Sequence, residues 1–308
     1  MKNKIGLFLG KIVLFTLPII ILFEVLFRMS YYPIITDSSF FDRKVMEIGK
    51  RRGKNITLLA AGSSVTLYEL NSKVILDSLH VPYYNLGAWG LQIAETRALV
   101  EAVVTSCHPK YVVLCSTIRD FLAQKHEIYL KYTNANPYIR TAFPEFFYFL
   151  TYKSLHQIAY RKAHDFSLEQ DAWGGCQLTI QKKDIPLDKW NEHDIFPTGY
   201  TEEEYRELDS LCTFLKGKDI TFIFAQVPIK ASYTNTPARK QIIDAHFDRC
   251  RSIVGTQGGI YLNYYNPGIF TDSLFFDQYH LQASGSVILT REFASDLKKI
   301  MTPPYPKQ

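Results

Sequence analysis

The stretch ITLLAAGSSVTLYEL, residues 56–70, joins a short apolar run to a helix-like pattern through Gly62, Ser63 and Ser64. A continuous apolar run of this length, closed by small turn residues, predicts a buried strand. Two adjacent hydroxyls at its end admit two readings. They cap a solvated turn, or they present a nucleophile at the carboxyl end of the strand.

The surrounding chain places that strand in a sheet. Further strand-like runs fall at 81–86, 111–116, 220–228 and 259–264. Helical patterns separate them at 93–105, 201–217, 237–254 and 283–301, the second opening on a Thr cap and closing on Gly217. Short apolar strands alternating with helices predict an α/β fold of flavodoxin-like type. Its three α/β/α layers would enclose a parallel sheet of about five strands. Such sheets take ligands at the carboxyl ends of their strands, where the Gly62–Ser64 turn lies. Residues 121–200 break the rhythm with aromatics and the sequence DAWGGC at 171–176, and read as a helical and loop insertion. Trp173 there reads as a packing anchor before it reads as a glycan contact.

The chain of 308 residues opens with roughly 23 largely apolar residues, Ile5 to Phe27, interrupted by Lys11, Pro18 and Glu24. At about 1.5 Å per residue this reaches across a hydrocarbon core of about 30 Å. Arg28, Tyr31 and Tyr32 make an interfacial anchor, and no small-x-small cleavage site follows. The expectation is an uncleaved signal anchor over 1–30 in contact with membrane lipid through residues 5–27. Lys2 and Lys4 bias the amino end to the cytoplasm and leave the rest outside, in periplasm or at the cell surface. A linker over 31–54 and one domain over 55–302 complete the expected organisation.

Composition narrows the class. With 47% hydrophobic and 21% charged residues, the chain is ordinary globular protein. The net charge of +5 is dispersed, so nucleic acid is not expected as a partner. The five cysteines form no CxxC pair, and no HisXxxHis pattern occurs, so no metal site is expected. Cys115 reads as an inert core residue.

Beyond the last strand lies FFDQYHLQASGS, residues 275–286. Asp277 and His280 are three apart, a spacing that puts them on one side of a helical turn. A carboxylate beside an imidazole fixes its tautomer and stabilises the imidazolium, which gives the serine a general base. Asp272 is the neighbour that could be mistaken for the orienter, and Ser63 is the alternative nucleophile. Each motif alone is weak; a serine after the first strand and an Asp–His pair after the last reinforce one another.

Together these blocks resemble the SGNH, or GDSL-like, hydrolase superfamily, and within it the membrane-anchored cell-envelope branch of DltD and AlgJ type. The resemblance covers roughly residues 55–300, thinly over 121–200. It maps the nucleophile to Ser64, with Ser63 where the family usually has Asp. It maps the AsnXxxGlyXxxXxxGly loop to Asn85–Gly90, with Gly90 in the oxyanion hole. The final block is Asp277 and His280. The third block departs, with Arg119 standing where the family has an oxyanion-donating Asn. The hole would then rest on the amides of Ser64 and Gly90, with Arg119 a candidate third donor. The resemblance implies a Ser64–His280–Asp277 triad without a cofactor, in an esterase or O-acyltransferase acting on acylated cell-envelope glycans or glycolipids. It also implies a second reading: a catalytically silent relative that binds glycan or assists a multi-pass membrane O-acyltransferase.

Overall fold

The computed structural model describes residues 2–28, 38, 40–44, 47, 53, 55–122, 168–180, 183, 196 and 200–302. Most of the expected insertion over 121–200 lies outside these residues, as do His126, His156, His164 and His193.

Five parallel strands form the sheet: β1 (Leu58–Ala61), β2 (Tyr83–Asn85), β3 (Tyr111–Ser116), β4 (Thr221–Gln226) and β5 (Ile260–Asn263). Their order is β2-β1-β3-β4-β5. Leu58 pairs with Tyr83 on one side and Tyr111 on the other, so β1 stands where the winding reverses. In open parallel sheets the crevice for a ligand forms at that reversal, beyond the carboxyl ends.

Among the described residues, the helices that surround the sheet include α2 (Ser64–Glu69), α3 (Ser72–Leu79), α4 (Ile93–Cys107), α5 (Glu202–Lys216), the short α6 (Ala231–Thr234), α7 (Pro237–Thr256) and α8 (Ala283–Met301). Strand side chains alternate between two cores. Leu59, Ala61, Val112, Leu114, Phe222 and Phe224 pack with Leu99 and Val103 of α4 and Leu208 and Leu211 of α5. Leu58, Ala60, Val113, Cys115, Ile223 and Ala225 pack on the other face with Ile75 of α3 and Leu289, Phe293 and Leu297 of α8. The α8 residues recur every fourth position, the stripe that one helix face needs to cover a sheet. This two-sided burial is why β1, β3 and β4 read as continuous apolar runs rather than alternating ones; β5, at the sheet edge, is only partly buried. Position 201 is the N-cap of α5, but the Thr201 side chain makes no capping bond; its amide donates to the Phe121 carbonyl.

All five cysteines are buried thiols. Burial pushes the Cys115 thiol well above its usual range, which makes a reactive thiolate unfavourable at neutral pH.

Ahead of the domain runs α1 (Lys2–Arg28), with Pro18 inside it. Residues Lys4–Leu22 have a mean hydropathy of 2.5 and none of that span is buried. By length and composition this helix can cross a membrane. Part of the segment expected as a linker is packed into the domain. Phe40, Phe41, Asp42 and Lys44 are buried, and Phe40 lies 4.8 Å from the Trp89 ring. The Lys44 Nζ donates to the carbonyls of Asn85, at 2.6 Å, and Gly174. A charged-looking stretch therefore holds buried aromatics and one buried amine at spacings too short to reveal a period.

Candidate active site

The turn after β1 is built by close approach. Gly62 sits at φ +142°, and a Cβ there would collide with Thr66 Oγ1 and lie 2.8 Å from the Cys115 carbonyl. Only glycine fits such a position without strain. Thr66 Oγ1 bridges the carbonyls of Ala61, at 3.0 Å, and Cys115, at 2.8 Å, tying the turn to β3. Ser63 is the N-cap of α2 and its hydroxyl accepts the Val65 amide at 3.4 Å. That hydroxyl also bonds the buried Asp120 carboxyl, which accepts Ser116 Oγ at 2.8 Å and the Thr117 amide at 3.0 Å. Ser63 is thus committed to structure, and Ser64, the first residue of α2, is half-buried beyond the carboxyl end of β1.

On the other side stands the loop between β5 and α8. It is not a helical turn, as the three-residue spacing suggested. Phe275 and Leu281 form an antiparallel bridge, and the Phe276 amide donates to the His280 carbonyl at 2.7 Å. Inside this closed loop, Asp277 Oδ1 accepts the amides of Tyr279 and His280, both at 2.8 Å. Its Oδ2 lies 2.7 Å from His280 Nδ1. Asp is suited to this because its short side chain reaches backbone amides two and three residues ahead. Asp277 does not cap α8, whose N-cap is Gln282.

The two halves meet at Ser64 Oγ, 2.7 Å from His280 Nε2. The side chains of His280 and Asp277 are 17% and 10% exposed, so the pair is largely shielded from water. An ionised Asp277 can only accept, which puts the ring proton on Nδ1 and leaves Nε2 to accept from the serine hydroxyl. Tyr68 packs against His280 in a T-shaped contact at 5.6 Å, and its hydroxyl receives the indole N–H of Trp89. Asp272 accepts the Ser232 amide at 3.3 Å, in a surface setting apart from this pair.

The remaining predicted residues line the approach differently. The Asn85–Ala88 loop wraps the turn: the Ala88 amide donates to the Gly62 carbonyl at 3.2 Å. Asn85 Nδ2 donates to the Thr66 carbonyl at 2.8 Å, and a Cβ on Gly87 would stand 2.5 Å from the Leu67 amide nitrogen. Gly90, at φ +71°, lies farther along and is exposed. Arg119 sits in a short 3₁₀ turn with its guanidinium 5.1 Å over the Tyr279 ring. Three supports escaped the sequence reading: Thr66, Tyr68 and Asp120. Tyr68 was accessible in principle, since it lies four residues after Ser64 on one helix face.

No family model and no curated protein matches the chain. Solved structures match it weakly. A protein of Bacteroides fragilis named as an acylhydrolase is 14% identical, with a TM-score of 0.47 over 84% of this chain and 96% of its own. A lipase/acylhydrolase of Enterococcus faecalis is 10% identical, with a TM-score of 0.43 over 82% and 100%. A catalytic mutant of an acetylxylan esterase of Geobacillus stearothermophilus is 14% identical, with a TM-score of 0.41 over 80% and 95%. At these scores the likeness bears on neither the family nor the activity of the chain.

Proposed function

We propose that the chain is a serine esterase or O-acyltransferase of SGNH type, held to a membrane by α1 and acting outside the cytoplasm. Its substrates would be acyl esters of cell-envelope glycans or glycolipids. The observation that carries this reading is the continuous hydrogen-bonded chain from Ser64 Oγ through His280 to Asp277, with both links at 2.7 Å. A serine is a weak nucleophile unless a base takes its proton, and this arrangement supplies the base and its orienter.

In the first step Ser64 Oγ attacks the ester carbonyl carbon as its proton passes to His280 Nε2. The imidazolium is stabilised by Asp277 through Nδ1–H. The tetrahedral oxyanion would be met by the amides of Ser64 and Gly90, and Arg119 is the third candidate donor. Collapse breaks the bond to the leaving alkoxide, which takes the proton from Nε2. The acyl group now sits on Ser64. Water or a sugar hydroxyl attacks it, giving its proton to Nε2, and the second collapse returns the proton to Ser64. Water makes the protein an esterase; a sugar hydroxyl makes it a transferase.

The chemistry is tested by giving the full chain in detergent an acetylated oligosaccharide and measuring released acetate, with and without an unacylated acceptor glycan. The reading expects Ser64-dependent release or transfer. A folded wild type that does neither, and binds the glycan equally in Ser64→Ala, favours the silent, partner-assisting role. The site domain over 55–302, and the packing of residues 40–44 against it, predict that a protein lacking α1 but keeping residues from 31 onward remains folded.

A further inference from the structure

Glu69 ends the helix that Ser64 begins, and the chemistry above makes no use of it. Its side chain is completely buried. Oε1 accepts the Leu281 amide at 3.4 Å, one residue beyond His280, and Oε2 has no hydrogen-bond partner among the described residues. Its backbone carbonyl accepts Thr290 Oγ1 of α8 at 3.0 Å. Cores avoid a buried, half-satisfied carboxyl unless something requires it. Here its place is specific: it bridges the carboxyl end of α2 to the loop that closes around Asp277 and His280.

We propose that Glu69 is a positioning residue of the Ser64 site, fixing the His280 loop to the nucleophile helix so that Nε2 stays in line with Oγ. The proposal rests on the serine-enzyme reading. Leu281 is also the bridge partner of Phe275, so its amide is the point at which a bond from α2 holds the whole closed loop. Glu69 works as a neutral acid. Burial is the largest cause that pushes its carboxyl well above the usual range, and Asp277 and Asp120 push the same way. The groups that face it are Asp277 from the loop, Asp120 from the turn after β3, Cys115 from β3 and Thr290 from α8. A neutral Glu69 adds no charge to the loop that carries Asp277 and His280; an ionised one would add a negative charge whose removal would move the acid side of the pH profile.

The test is the rate of fluorophosphonate labelling against pH, on the full chain in detergent, for wild type, Ser64→Ala, Glu69→Leu and Glu69→Gln. Glu69→Leu removes the acceptor for Leu281 and should slow the maximal labelling rate tenfold or more, with the half-saturating probe concentration little changed. Glu69→Gln restores a neutral acceptor of the same shape and should recover at least a third of the wild-type rate, with the acid-side midpoint of the pH profile unmoved. Wild-type speed in a folded Glu69→Leu overturns the positioning role. A shift of about one pH unit in Glu69→Gln shows a charged Glu69 and overturns the neutral bridge. Should Glu69→Leu not fold, a tenfold loss in Glu69→Gln contradicts the proposal by itself. Wild type that labels no faster than Ser64→Ala removes the serine reading and this proposal together, whereas failure of the Glu69 arms alone leaves the serine reading standing.

Discussion

Two arms reach Ser64, and they are built differently. The acid–base arm, residues 275–281, is closed on itself by a strand-like bridge and by two amides on one Asp277 oxygen. The arm proposed to meet the oxyanion, residues 85–90 with Arg119, is anchored firmly only at its root. Asn85 and Ala88 are bonded to the nucleophile turn, whereas Gly90 is exposed and the Arg119 guanidinium lies over Tyr279. The difference teaches where catalytic precision is stored. Proton transfer needs heavy atoms held within hydrogen-bond reach, so its arm is over-determined by short-range backbone bonds. In the proposed reaction the oxyanion exists only transiently, and its donors would be aligned by the substrate itself.

Breaking the acid–base arm should have the largest effects. Ser64→Ala and His280→Ala should abolish labelling and turnover. Asp277→Asn keeps the two backbone amides but loses the charge and the tautomer, so the rate should fall by about 10³–10⁴. Steady-state kinetics on an activated acetate ester checks all three. A fall below about tenfold in Asp277→Asn would mean that His280 is oriented mainly by its packing on Tyr68.

Next in size is the turn that both arms meet. Gly62→Ala forces a Cβ into Thr66 and the Cys115 carbonyl, at a φ that L residues rarely adopt. It should cost about 1–3 kcal/mol of stability or more, read from urea unfolding, and should lower activity through misplacement of Ser64.

The oxyanion arm should respond less. A cation–π contact of this kind contributes about 0.5–1 kcal/mol to holding the Tyr279 loop, so Arg119→Ala should lower stability by about that much and leave turnover within about fivefold of wild type. Loss of an oxyanion donor costs about 10²–10³. A hundredfold loss, partly restored in Arg119→Lys, would therefore make Arg119 a direct donor and bring the two arms to equal weight.

The smallest effect concerns the root of the oxyanion arm. Lys44 holds the Asn85 carbonyl, and burial, the largest cause, lowers its pKa to about 7. In the unfolded chain the amine titrates near 10.4. Above pH 7 the folded protein has shed a proton that the unfolded chain still holds, so this group makes stability rise with pH. The rise should begin at about pH 7, before unfolded thiols reach their midpoint at about pH 8.5 and act in the opposite direction. Lys44→Met should flatten it, measured as the difference between the two proteins in urea midpoints across that window.

The parts legible in sequence share a physical cause. Buried parallel strands announce themselves as apolar runs, and β3, at Tyr111–Ser116, coincides with its predicted bounds. The meeting of Ser64, His280 and Asp277 was legible because a serine after the first strand and an Asp–His pair after the last are brought to the same end of a parallel sheet. The mechanism of their spacing was not: the Asp277–His280 turn is an amide-bonded loop, which three residues of sequence cannot distinguish from a helix. The buried roles of Phe40, Phe41 and Lys44 were hidden because a segment one helical turn long has no measurable period. Asp120 was hidden because a capping carboxylate and a buried support for Ser63 look the same until β1 and β3 are side by side.

The account rests on Ser64 being activated by His280. The most direct measurement is mass-mapped fluorophosphonate modification of the full chain in detergent, comparing wild type with His280→Ala and Ser63→Ala. The account predicts one adduct, on the peptide carrying Ser64, present in Ser63→Ala and lost in His280→Ala. An adduct on Ser63, or modification of Ser64 that persists at full rate without His280, would contradict it.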